Sequence, residues 1–145
     1  MQRVLFLCTG NYYRSRFAEE LFNHRAARDG LPWTALSRGL AIERGIFNVG
    51  PLSPFASKGL EERGVIIQRG DRPPQQCTLI DLQAATRVIA LNETEHRPLM
   101  RERFPSWESS TLYWQVADVG LTSPKLALAE IERQIEGFLA KFSAA

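Results

Sequence analysis

The chain has little of several things. It holds only two cysteines, Cys8 and Cys77, far apart in the sequence. They form neither a disulfide framework nor the close Cys/His spacing of a zinc site. No apolar run approaches the roughly 20 residues needed to cross a bilayer, which argues against a membrane partner. The apolar stretch near the N-terminus is a few residues long, short of the roughly 7–15 of a signal-peptide core. The cytoplasm, where thiols stay reduced, is the expected compartment. No five like charges occur in a row and the net charge is only +2, so the 18 basic residues read as solvated surface. Nucleic acid is not an expected partner. Internal repeats and low-complexity linkers are missing too.

What is present has the composition of a globule: 145 residues, 44% apolar and 23% charged. One domain spanning 1–145 is expected, long enough to bury a core. Strand and helix signals alternate along it. Val4–Leu7 is a continuous apolar run, as in a strand covered on both faces. From Arg14 to Arg28, Phe17 and Leu21, and Ala18 and Phe22, pair at helical spacing until Asp29-Gly30 and Pro32 end the pattern. Trp33–Ser37 suits a second strand, followed by a Gly- and Pro-rich connection from Gly39 to Ser53. Ser53 and Pro54 open a helix that stops at Gly64. Thr78–Asp81 reads as a capping box, residues 87–91 (RVIAL) as a third strand, and 111–114 (TLYW) as the last. Asn92 caps a helix over Glu93–Arg103, with a break or restart expected at Pro98. Leu128, Ile131, Ile135, Phe138 and Phe142 mark a final amphipathic helix. Strands alternating with helices imply parallel pairing and a doubly wound α/β sheet, in which ligands sit beyond the C-terminal strand ends.

One turn lies at such an end: Cys8-Thr9-Gly10-Asn11-Tyr12-Tyr13-Arg14-Ser15. Hydrolysis of a phosphate monoester needs a nucleophile, fixed positive potential around the phosphoryl oxygens, and an acid for the leaving group. Cys8 offers the first. Successive main-chain amides of the turn, the helix N-terminus and the planar fork of Arg14 offer the second. Gly10 is expected to supply a positive φ or a close backbone approach, and Asn11 to tolerate left-handed geometry while holding the loop through its side chain. The same potential favours the thiolate, since helix N-termini and cations lower a thiol from about 8.5 to roughly 3.5–7.5. Ser15 is placed to hydrogen-bond the sulfur.

This turn resembles that of the low-molecular-weight protein tyrosine phosphatases, whose Cys-x-Gly-Asn-x-x-Arg-Ser loop is matched by Cys8, Gly10, Asn11, Arg14 and Ser15. The resemblance extends to "FNVGPLSPFASKGLEERG" at 47–64 and "VIALNETEHRPLM" at 88–100. It implies a four-stranded parallel sheet in the flavodoxin-like order 2-1-3-4, with helices on both faces and neither metal nor other cofactor. It also implies hydrolysis through a phosphocysteine, with Cys8 as nucleophile and Arg14 as clamp. Thr9, Gly10, Asn11, Tyr12, Tyr13 and Ser15 would bind phosphate or support the loop.

The family draws its acid from an aspartate in a loop near the C-terminal end. Of the four aspartates, Asp29 lies at the opposite sheet edge, Asp81 caps a helix and Asp71 sits in a polar loop. Asp118, after the last strand, is on the edge that carries Cys8. It is followed by Val119 and Gly120, where the family commonly has proline and an aromatic residue. Tyr13 occupies a position where many members carry a second cysteine. Tyr12 and Phe47 are candidate walls flanking a substrate ring, which favours protein phosphotyrosine or a small aryl phosphate. Relatives acting on phosphoarginine have a small polar residue at the position of Tyr12. A phosphoarginine phosphatase and a non-catalytic phosphate-binding regulatory module are the alternatives. His24 and His96 are read as surface residues, and Cys77 as a buried, idle thiol.

Overall fold

A computed structural model describes residues 1–143, so the last two positions of the expected 1–145 unit lie outside it. Four strands, β1 (Gln2–Cys8), β2 (Trp33–Gly39), β3 (Arg87–Ala90) and β4 (Leu112–Tyr113), form one parallel sheet in the order β2-β1-β3-β4. The helices are α1 (Arg14–Arg28), α2 (Pro54–Glu62), α3 (Leu79–Ala84), α4 (Glu93–Arg103) and α5 (Pro124–Ser143).

β1 is central and shows why its apolar run does not alternate. Val4, Phe6 and Cys8 point into a core built with α1, α2 and α5, while Leu5 and Leu7 point into a second core with α3 and α4. A fully buried side chain such as Phe6 contributes about 1.5–3 kcal/mol, and both faces of the strand gain in this way. Phe6 also packs edge-on against Phe22 and at a tilt against Trp114, locking α1 and the end of β4 onto the strand.

Several elements differ from the sequence reading. β1 and β2 are longer than their apolar stretches, because the parallel ladder runs in register from Gln2 with Trp33 to Cys8 with Gly39. Polar residues at strand ends can join a ladder without being buried. The last strand is shorter, pairing with β3 only at Leu112 and Tyr113. And α4 is continuous through Pro98 rather than broken there. The proline removes one donor, from the carbonyl of Thr94, and both residues face solvent, where water replaces the bond. The expected caps are present: Ser53 accepts from the Phe55 amide, Asn92 from the Glu95 amide, and Thr78 and Asp81 form a reciprocal capping box. No helix among the described residues is long and apolar enough to cross a membrane.

Candidate active site

β1 carries Cys8 to the C-terminal edge of the sheet and α1 starts at Arg14. Among the described residues, no hydrogen bond runs from the amides of Thr9 through Tyr13 to another protein group. Tyr13, the N-cap of α1, makes no side-chain cap, and the first turn contains no acid. The positive end of a 15-residue helix is therefore left to an outside anion.

The loop is held from behind. Asn11 is the one non-glycine residue among those described with positive φ, at 51°. Its side chain compensates: Nδ2 donates to Ser15 Oγ (2.9 Å) and Ser37 Oγ (3.0 Å), while Oδ1 accepts from Arg72 Nη1 and the Gln75 amide, both at 3.0 Å. Ser15 Oγ lies 2.9 Å from Cys8 Sγ. Because Ser15 accepts from Asn11, its own proton is free for the sulfur. The expectation for Gly10 is corrected. Gly10 has no positive φ, and a Cβ there would meet only Asn48 Nδ2 at 3.6 Å. The close approach falls instead at Gly39, where a Cβ would stand 2.5 Å from Ile42 Cγ2 and 2.9 Å from the Thr9 carbonyl. Arg16, buried behind the loop, donates to the carbonyls of Pro51 and Arg69 at 2.9 Å each. Burial and the nearby Arg72 push its guanidinium down to about 10, still cationic at neutral pH.

Arg14 is 2% exposed, and its orientation is fixed by a residue the sequence reading missed. Glu95, in the first turn of α4, accepts from Arg14 Nη1 at 3.0 Å and from Nη2 at 2.7 Å. Nη1 also donates to the Val116 carbonyl at 2.9 Å. These bonds use the end of the fork and leave Nε–H and one Nη2 proton, the side edge that matches two oxygens of an anion. Burial opposes charge on Arg14, yet the bond to Glu95 and the electrostatic pull of Cys8, Glu95 and Asp118 raise its pKa. Glu95 is only half-buried. Against that burial, hydrogen bonds from His96 and Arg14 hold its carboxyl well below the usual carboxylate range. The Thr9 hydroxyl also donates to Glu95 Oε2.

His96 is not a surface residue as expected but fully buried, whereas His24 is exposed. The Asn92 amide donates to His96 Nδ1 at 3.0 Å, which places the ring proton on Nε2, 3.1 Å from both Thr9 Oγ1 and Glu95 Oε2. Burial lowers its pKa against the pull of Glu95, with the Arg14 charge lowering it further. The unfolded chain therefore protonates this histidine first. Stability linked to His96 is full above its ordinary 6.5 and is lost as the pH falls below that value. The corresponding loss from Glu95 begins only below 4.5. In thermal melts, His96→Gln should therefore flatten the fall of Tm between neutral pH and about pH 5. Parallel Tm–pH curves would contradict this.

Asp118 lies where the strand-end rule put it, with Oδ2 3.5 Å from Arg14 Nη2. It shares with Cys8 and Arg14 the wall of a cavity of about 350 Å³, closed by Gly10, Tyr12, Tyr13, Phe47 and Phe55 among others. Tyr12 is half-buried, and its hydroxyl donates to the Val49 carbonyl at 2.6 Å, tying the loop to the segment bearing Phe47. Phe47 is 90% exposed at the mouth. Tyr13 is buried against Phe55, with no partner for its hydroxyl among the described residues. Cys77 belongs to the core on the other side of the sheet from Cys8. Burial and the neighbouring Asp81 push its thiol up to about 12.

A thiol and a guanidinium meet at the C-terminal edge of a parallel α/β sheet, over an open helix N-terminus, an arrangement that can hold a tetrahedral oxyanion. The chain belongs to the low molecular weight phosphotyrosine protein phosphatase family, whose model matches residues 3–144. It is similar to the low molecular weight protein tyrosine phosphatase of T. tengcongensis: 25% identity, 97% of this chain and 99% of that one covered, TM-score 0.78. Vibrio vulnificus Wzb, solved with benzylphosphonate, shares the fold at 18% identity, covering 97% and 98% of the two chains with a TM-score of 0.80. A protein-arginine-phosphatase of Bacillus subtilis is 29% identical over 101 residues, or 70% of this chain. The match spans 62% of that relative's length.

Proposed function

We propose that the chain is an active phosphomonoesterase, with Cys8 as nucleophile, Arg14 as phosphate clamp and Asp118 as acid and then base. The observation that carries this reading is one cavity holding the Cys8 sulfur, the Arg14 guanidinium and the Asp118 carboxyl over an uncapped helix N-terminus. The Cys8 thiolate attacks phosphorus in line, forming the P–S bond as the P–O bond breaks. Asp118 gives its proton to the departing oxygen. In the second half Asp118 takes a proton from water. The water oxygen attacks phosphorus, the P–S bond breaks and the thiolate returns. The open amides and the side edge of Arg14 hold the charge that gathers on the equatorial oxygens.

The wall favours an aryl ester as substrate, protein phosphotyrosine foremost. Tyr12, Tyr13, Phe47, Val49, Phe55 and Val119 supply aromatic and apolar surface. Asp118 is the one carboxylate among the residues lining the cavity. A guanidinium-bearing substrate would need it as counter-charge as well as acid. The likeness to a protein-arginine-phosphatase favours phosphoarginine as the second reading.

Relative kcat/KM on phosphotyrosine and phosphoarginine peptides decides between them, with phosphotyrosine expected to lead. Reversed preference would establish the second reading. Phosphate protection of Cys8 from alkylation without turnover of either would leave a binding module. Asp118→Asn is expected to slow p-nitrophenyl phosphate hydrolysis about 10²-fold, and alkyl phosphates by more, because a poor leaving group depends more on the proton. Equal losses across leaving groups would remove Asp118 from the acid role.

A further inference from the structure

α1 opens with two buried guanidiniums, and only Arg14 lines the cavity. Arg16 is 1% exposed, so its charge lies inside the protein. Its donors go to neutral main-chain carbonyls, Nη1 to Pro51 and Nη2 to Arg69, both at 2.9 Å. Among the described residues it forms no ion pair, and the two acids one turn further along α1 are engaged elsewhere. Glu19 accepts from Arg69, Arg72 and Ser37, and Glu20 from the amides of Gln68 and Arg69. Behind the loop, three guanidiniums (Arg16, Arg69, Arg72) thus stand against two carboxylates (Glu19, Glu20). One positive charge is left over.

This placement is unfavourable for the protein alone. A buried charge without a counter-ion is destabilising, and a cation in the first turn of a helix opposes its dipole. Burial and Arg72 disfavour the charge, while Glu19, Glu20 and Cys8 pull the other way. An anion on the far side of the loop would offset the cost, and the backbone between is arranged to transmit the charge. Arg16 Nη1 comes within 3.5 Å of the Asn11 carbonyl. In a trans peptide the carbonyl and the next N–H point in opposite directions. With its carbonyl on Arg16, this peptide aims the Tyr12 amide at the open side of the loop, where no protein group accepts it among the described residues.

We propose that Arg16 is a positioning residue that sets the charge preference of the site. Its buried cation favours a doubly charged phosphoryl group over a singly charged group of the same shape, acting through space and through the Asn11–Tyr12 peptide. The inference rests on the anion cradle of the phosphatase reading and narrows its substrates to dianionic monoesters, against phosphodiesters and sulfate esters. Arg14 by itself supplies little of this preference. Its guanidinium is held at 2.7 and 3.0 Å by the Glu95 carboxylate, and the pair together is neutral. The open amides carry only partial charges. Arg16 is the full charge that no carboxylate at hydrogen-bond distance cancels.

The test measures dissociation constants of benzylphosphonate and phenylmethanesulfonate by thermal-shift titration at about pH 8, where the first carries two charges and the second one. Wild type is expected to favour the phosphonate by at least about tenfold. Arg16→Met should lose about tenfold on the phosphonate and about threefold on the sulfonate, because doubling the ligand charge squares the fold-change. Arg16→Lys keeps the charge and gives up the fork, and should stay within about threefold of wild type on both ligands. Equal losses on the two ligands in Arg16→Met, or a loss in Arg16→Lys as large as in Arg16→Met, would overturn the inference. Arg16 would then only tie together the segments around Pro51 and Arg69. Should Arg16→Met not fold, Arg16→Gln carries the same comparison, and a wild type without charge preference overturns the inference by itself. Hydrolysis of p-nitrophenyl phosphate is followed in parallel. A charge preference that Arg16→Met loses, in a wild type that turns nothing over, would bring down the phosphatase reading and leave the role of Arg16 standing.

Discussion

Cys8→Ser is expected to reduce p-nitrophenyl phosphate hydrolysis by at least about 10⁴-fold, equivalent to about 5.5 kcal/mol of lost barrier lowering. The substitution keeps the size and the hydrogen-bond reach to Ser15, 2.9 Å from the sulfur. What it removes is the sulfur nucleophile, because an alcohol ionises far less readily than a thiol and attacks phosphorus far more weakly. The amides of the loop and the side edge of Arg14 are untouched, so phosphate should still stabilise the variant in a thermal-shift assay. Loss of turnover with retained phosphate binding separates nucleophile from cradle. Activity within tenfold of wild type would show that the chemistry does not pass through this sulfur.

Legibility in the sequence tracked how local each interaction is. Cys8, Asn11, Arg14 and Ser15 lie in one short run, and the hydrogen bonds from Asn11 to Ser15 and from Ser15 to the sulfur stay within it. Asp118 is distant, yet the strand-end rule placed it, because parallel strands present their C-terminal ends on one edge. Glu95 and His96 were open to the same rule, since they follow β3 on the first turn of α4 at that edge. They were passed over because a Glu-His pair in a charged segment looks like solvated helix. Its burial comes from Thr9 and Arg14, more than 80 positions away in sequence. Gly39 escaped for a similar reason. Its requirement arises where Ile42 and the Thr9 carbonyl cross it, a contact between two strand ends. The run of apolar residues located β1 but not its full length, which backbone pairing with β2 sets.

Arg14→Lys should lower kcat/KM by about 10³-fold, or about 4 kcal/mol, and also lower Tm, although the charge is conserved. The guanidinium does two jobs with two edges: its end satisfies Glu95 and Val116, and its side faces the cavity. An ammonium has three donors on one atom and cannot span both. If it stays on Glu95, the phosphate loses its bidentate partner; if it turns to the phosphate, Glu95 is left half-buried without its main counter-charge. Removing one partner of a buried pair costs about 3–5 kcal/mol, and lysine recovers part of that by remaining charged. Glu95→Gln gives the complementary result. The amide keeps one acceptor for Arg14 but turns its NH₂ toward Arg14 Nη2 and the Thr9 hydroxyl, so the fork is held by one bond rather than two. A loss of about tenfold in kcat/KM is expected, less than for Arg14→Lys because the phosphate-binding edge remains. The double variant Arg14→Lys/Glu95→Gln should then be less destabilised than the sum of the two singles, with an interaction energy of about 1–3 kcal/mol, while its activity stays at the Arg14→Lys level. Strict additivity in both Tm and kcat/KM would show that Glu95 does not act through Arg14. Recovery of stability without recovery of turnover would establish the division of labour between the two edges of one guanidinium.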